Sequence, residues 1–141
     1  MYLKAALFMA LGIAFAAADE IHLVNCQNTS PRLPRDEYTV MVYYASSRDL
    51  NGPPPSNNIC FPVSSGTVQW ERSGGVSCTF PMGITFRETL NANAPSAPNF
   101  SAVGSGSNGF NSYTCYKDNG HQLYVDNDAK VCFSSYYCLS N

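Results

Sequence analysis

Basic residues are scarce in this 141-residue chain, with eight Lys and Arg against ten Asp and Glu and a formal charge of -2. Phosphate binding needs clustered Lys and Arg, and here they stand singly, which argues against nucleic acid as a partner. Charged residues are only 13% while hydrophobic residues reach 45%, the reverse of a disordered composition. Histidine occurs twice, as the isolated His22 and His121. No Cys-x-x-Cys, His-Glu-x-x-His or Gly-x-Ser-x-Gly occurs, so zinc-site spacing and the common hydrolase motifs are missing. After the first eighteen residues no run is apolar enough for a membrane span, which needs about twenty residues. The predicted cofactor set is empty, and no metal site is assigned.

What is present points to secretion. Lys4 precedes an uncharged stretch, Ala5 to Ala18, that ends in Ala16-Ala17-Ala18 and is followed by Asp19 and Glu20. That is the pattern of a cleaved leader. Residues 1–18 are therefore expected to be a signal peptide and 19–141 a single extracellular domain. Six cysteines follow it: Cys26, Cys60, Cys78, Cys115, Cys132 and Cys138. An even number in an oxidising compartment predicts three disulfides, chosen from fifteen connectivities. Cys60–Cys78 is the pair expected first, because the two flank one short pair of strands.

The apolar periodicity is two rather than 3.6. Tyr38, Val40, Val42 and Tyr44 share one strand face, Val68 alternates with Trp70, and Met82, Ile84 and Phe86 alternate with polar neighbours. Asn119-Gly120 separates two strand-like runs within Ser112 to Val125, the signature of a tight hairpin. Asp126-Asn127-Asp128 is a turn signal ahead of a last strand, Lys130 to Leu139. Asn51 to Asn58 and Asn91 to Gly109 read as surface loops. The fold class is all-β, a small antiparallel sandwich or Greek-key domain stapled by three disulfides. Trp70, Phe80 and Phe86 are its expected core.

Several residues carry candidate chemistry. Gly104-Ser105-Gly106-Ser107-Asn108-Gly109 matches the dinucleotide fingerprint in letters but lacks the flanking strand and helix, so a flexible loop is expected. His22 and His121 are the natural acid–base side chains, with Glu71 or Glu88 as candidate partners in a nuclease. No catalytic residue is assigned. Asp118, Asp126 and Asp128 are suited to Ca²⁺, and equally to ordinary turns. Asn99-Phe100-Ser101 is a glycosylation acceptor; Asn28-Thr29-Ser30 also matches, but Pro31 follows it. Tyr136 and Tyr137 are candidate binding residues for sugar rings, and since neighbours on a strand face opposite ways, at most one of them serves.

Ile21-His22-Leu23-Val24-Asn25-Cys26, Val68-Gln69-Trp70-Glu71, Cys115-Tyr116-Lys117-Asp118 and Tyr136-Tyr137-Cys138 resemble the small secreted cysteine-rich proteins of basidiomycete-type filamentous fungi. The resemblance implies an effector or antimicrobial role. Trp70-Glu71 followed by Cys78 and Phe80 is similar to secreted βγ-crystallin-like killer toxins. Arg72 stands where that family has glycine, and Asn127-Asp128 leads to Val131 in place of its calcium signature. The expected function is a non-enzymatic surface binder whose partner is an extracellular protein or a cell-wall glycan. The alternatives are a small secreted nuclease or glycosidase, or a carbohydrate-binding module.

Overall fold

The computed structural model describes residues 18–45 and 52–141. All but one residue of the expected leader, and the first residue of the Asn51 to Asn58 loop, lie outside them. Nine antiparallel strands form one sheet: β1 (Glu20–Gln27), β2 (Glu37–Tyr44), β3 (Ile59–Cys60), β4 (Val76–Thr79), β5 (Thr85–Leu90), β6 (Ala102–Ser107), β7 (Ser112–Lys117), β8 (Gln122–Val125) and β9 (Val131–Ser140). Their order is β3-β2-β1-β9-β7-β6-β5-β4, with β8 paired to β9 alone. The last strand returns beside the first, as the fourth strand of a Greek key does. The all-β, antiparallel expectation holds.

The two edges of this order, β3 and β4, are joined by the Cys60–Cys78 disulfide. The expected pair is present, and its role is to close the sheet on itself. Edge strands invite pairing with other chains, and here each edge is short and tied to the other. The other two bridges link strand neighbours. Cys26–Cys132 joins register partners on β1 and β9, and Cys115–Cys138 does so on β7 and β9. No free cysteine remains among the described residues.

Closing the sheet encloses an inner core, in which Leu23, Met41, Trp70, Val76, Phe86, Tyr113 and Tyr136 are buried. Each such apolar side chain contributes about 1.5–3 kcal/mol on leaving water. A second, outer core forms where β8 folds over β1 and β2. There Leu123 and Tyr124 cover Val24, Val40, Val42 and the Cys26–Cys132 bridge. Strands β1 and β2 are thus covered on both faces.

One extra residue lets β9 serve both cores. The β1–β9 register runs Leu23↔Tyr136, then Val24↔Ser134, so Ser135 is a bulge. Cys132 consequently faces the outer core, while Tyr136 and Cys138 face the inner one. The bulge is tied down: Asn25 Nδ2 donates to Ser135 Oγ at 3.3 Å, and Trp70 Nε1 donates to Asn25 Oδ1 at 3.2 Å.

Four local expectations are corrected. Ala102–Ser107, expected as loop, is strand β6; its alternate glycines are needed because β5 lies close against them. A Cβ at Gly106 would sit 2.4 Å from Phe86 Cζ, and one at Gly104 would sit 2.3 Å from the Thr89 carbonyl oxygen. The Gly104–Gly109 run is therefore strand end and turn. Val68 and Trp70 lie outside any strand, Trp70 in a turn in which Arg72 N–H donates to the Gln69 carbonyl. Met82 and Ile84 precede β5, in its connection from β4. Strands β7 and β8 do not pair with each other: Asp118 N–H donates to the carbonyl of bulged Ser135, ending β7, and β8 then runs along the other half of β9.

Candidate functional site

The densest set of reactive side chains lies in the outer core. Ser134 Oγ donates to Asp118 Oδ2 at 2.6 Å. A hydroxyl has one proton, so its 2.7 Å contact with His22 Nδ1 places the donor on Nδ1. His22 Nε2 then faces Glu20 Oε1 at 2.9 Å, without the alignment of a hydrogen bond. His121, half-exposed, approaches the second oxygen of Asp118 at 3.3 Å. Both histidines therefore have carboxylate partners, and these are Glu20 and Asp118 rather than the expected Glu71 or Glu88.

In outline the set has nucleophile, base and acid. A hydrolase triad needs its serine proton within reach of the base and its oxygen open to substrate. Here Ser134 gives its proton to Asp118 and is wholly buried, and His22 is only 2% exposed. The arrangement is a structural clamp holding β1, β9 and the β7–β8 connection together.

Glu88 is the third buried acid, after Glu20 and Asp118. It projects into the inner core, and its Oε1 accepts the Val76 N–H at 3.0 Å while its Oε2 has no partner. Burial pushes its carboxyl up to about 7, against the lowering effect of the Val76 and Leu90 backbone N–H groups. Nearby, the Tyr136 hydroxyl donates to Glu71 Oε1. Tyr136 is thus a core residue; as a sugar-binding candidate it is corrected, because no face of its ring reaches water.

Two of the three aspartates considered for calcium, Asp126 and Asp118, are already engaged. Asp126 Oδ1 accepts the backbone N–H groups of Asp128 and Lys130, and its Oδ2 accepts the Tyr38 hydroxyl at 2.5 Å. Burial pushes the Asp126 carboxyl up, but these bonds outweigh it and hold it below the usual range. Asp118 is committed to the His22 clamp. No group of three or more His, Cys, Asp or Glu suited to a metal occurs among the described residues.

Tyr137 is the member of the pair that faces outward. It stacks on its β7 register partner Tyr116, with ring centroids 5.3 Å apart and planes 18° from parallel, and lies 6.0 Å from His22 on its other side. Tyr116 is half-buried, and its neighbour on β6 is only the exposed methyl of Ala102. From this aromatic step a polar face extends over β7, β6, β5 and β4. One row reads Ser112, Ser107, Arg87, Ser77, and the next Thr114, Ser105, Thr89, with Thr85 and Thr79 hydrogen-bonded at 2.7 Å beyond them. Arg87 is the one charge in these rows, and its Nη1 donates to the Gly74 carbonyl at 2.6 Å.

Phe100, just ahead of β6 and beside the end of β7, escaped sequence reasoning. It is 59% exposed at φ 67°, held by its N–H to the Lys117 carbonyl and by Lys117 N–H to the Ser101 carbonyl. A non-glycine residue kept in left-handed backbone by its surroundings is a frequent mark of a site. Asn99 beside it is exposed, as a glycan acceptor must be. Asn28, by contrast, uses its side chain on Pro34 O and Asp36 N–H.

No helix among the described residues is long and apolar enough to cross a membrane. No protein-family model, no curated protein and no solved structure matches this chain.

Proposed function

We propose that the protein is a secreted, non-enzymatic binding domain that takes a neutral glycan on the outward face of β4–β7 and β9. One observation carries this reading: the half-exposed Tyr116–Tyr137 step opens onto two rows of serine and threonine hydroxyls with a single charge among them. Hydroxyls both donate and accept, matching the alternating donors and acceptors of sugars. An aromatic ring supplies apolar contact for the C–H side of a pyranose while its phenol stays in water. Near-neutrality disfavours anionic ligands. The reading fits the cell-wall glycan expected among its partners, and the burial of Ser134 and His22 supports binding over hydrolysis.

The test is retention of the full chain on insoluble chitin and β-glucan, with reducing sugars measured in the supernatant. Wild type should be retained without releasing sugar. Tyr116→Ala should weaken retention roughly three- to tenfold with an unchanged circular dichroism spectrum. Failure of wild type to bind any neutral polysaccharide, or release of soluble sugar, would overturn the proposal.

A further inference from the structure

A cavity of about 90 Å³ opens at the end of the barrel where β1 begins, away from the glycan face. Four aromatic side chains line it: Tyr43 from β2, Phe80 after β4, Phe86 from β5 and Tyr113 from β7. Phe86 and Tyr113 meet at 83° with centroids 5.1 Å apart, forming two perpendicular walls. Asp19 lines the same space, its Oδ1 accepting the Tyr43 hydroxyl at 3.1 Å. Its backbone nitrogen, which is the α-amino group of a chain cleaved after Ala18, donates to Ser140 Oγ at 2.9 Å. No Lys, Arg or His lines the cavity.

Aromatic faces carry the negative end of a quadrupole, so walls of this kind with one carboxylate favour a cation. A bare ammonium is strongly hydrated and loses much on entering apolar walls. Methylation removes that penalty and keeps the charge. At about 90 Å³ and open on one side, the space takes a compact group of a few heavy atoms and excludes a whole sugar ring. We infer that this cavity binds a methylated ammonium head group of the choline type, between Asp19 and the aromatic walls. Burial keeps the walls neutral, with the Tyr113 hydroxyl pushed up to about 12. Met82, one of the lining residues, is 48% exposed. A choline head can come free in solution or from a phosphatidylcholine surface.

The experiment titrates the full disulfide-bonded chain with choline and with 3,3-dimethylbutan-1-ol, its uncharged isostere, following Ile84 and Tyr113 resonances by NMR. Choline should shift them at millimolar concentrations and bind about tenfold tighter than the alcohol. Asp19→Asn should remove that preference, while Thr89→Ala, on the glycan face, should leave it intact. Co-sedimentation with phosphatidylcholine vesicles but not phosphatidylglycerol vesicles would identify the lipid source; choline binding without co-sedimentation would identify the soluble one. Equal affinity for the alcohol, no shift at tens of millimolar choline, or sedimentation with both vesicle types would overturn the inference. The wild-type comparison stands even if a variant fails to fold.

Discussion

In the outer core the carboxylate of Asp118 meets Ser134 Oγ, two histidines and a backbone N–H, whereas in the inner core Glu88 has one backbone donor to an oxygen and nothing on the other. The first acid sits among complementary groups; the second lies beside Val76, Phe86 and Leu90 in the inner core, and burial makes it resist charging. The difference follows from topology. The outer core is covered by a polar connection, residues 118–121, which brings its own donors, while the inner core is sealed by strands whose N–H groups are already spent in ladders. A buried acid in a closed barrel therefore meets mostly apolar walls, and its protonation becomes part of the fold's stability.

The largest test of that contrast removes the staples of each core. Replacing Cys26 and Cys132 by Ala frees a separation of 106 residues and should cost ~4–5 kcal/mol in urea unfolding, against ~3 kcal/mol for Cys60 and Cys78, separated by 18. The reverse order would mean that sealing the sheet edges matters more than loop entropy. Next, His22→Ala removes the buried ring that stands between Glu20 Oε1 and Ser134 Oγ and leaves both groups buried without it. It should destabilise by ~3–4 kcal/mol, while His121→Ala, at a half-exposed site, should change little. Equal effects of the two would deny the clamp its role.

The smallest effect concerns Glu88 and pH. Its carboxyl titrates at about 7 in the folded chain against 4.5 when unfolded, so the folded state binds the proton more tightly. Stability is then fully present below about 4.5 and declines as pH rises through about 7, by roughly 2–3 kcal/mol in total. Urea midpoints at acidic and mildly alkaline pH should show this fall, and Glu88→Gln, which keeps the acceptor for Val76 N–H, should abolish the Glu88 part of the slope.

Strands with alternating apolar residues were legible in the sequence, β2 and β9 above all, because one or both faces are buried. Strand β6 was not: Ala102-Val103-Gly104-Ser105-Gly106-Ser107 carries the composition of a loop, and only the closeness of Phe86 and of the Thr89 backbone on β5 explains its glycines. Asn119-Gly120 did mark the break between β7 and β8 but not a hairpin, because the partner of β8 depends on the Ser135 bulge, which no local pattern announces. For the site, sequence placed Tyr137 and limited the tyrosine pair to one outward ring. The hydroxyl rows and Phe100 stayed hidden, because which serines and threonines share a face depends on register across four strands. The cavity drew on Asp19, Tyr43, Phe80, Phe86 and Tyr113, spread along nearly the whole domain, and spacing alone could not gather them.

The adjacency of β1 and β9 has a consequence in time. The first strand's pairing with β9 spans eight registered positions, yet β9 is the last strand to be synthesised. Pairing of such distant segments is slow, since the whole intervening chain must be ordered with it. Until Val131 onward has emerged, β1 lacks one neighbour, the lower half of β7 has nothing beyond it, and Cys26 and Cys115 have no native partner. The growing chain is thus held open, with its thiols available for wrong exchanges, until its final ten-residue strand arrives and completes barrel and bridges together.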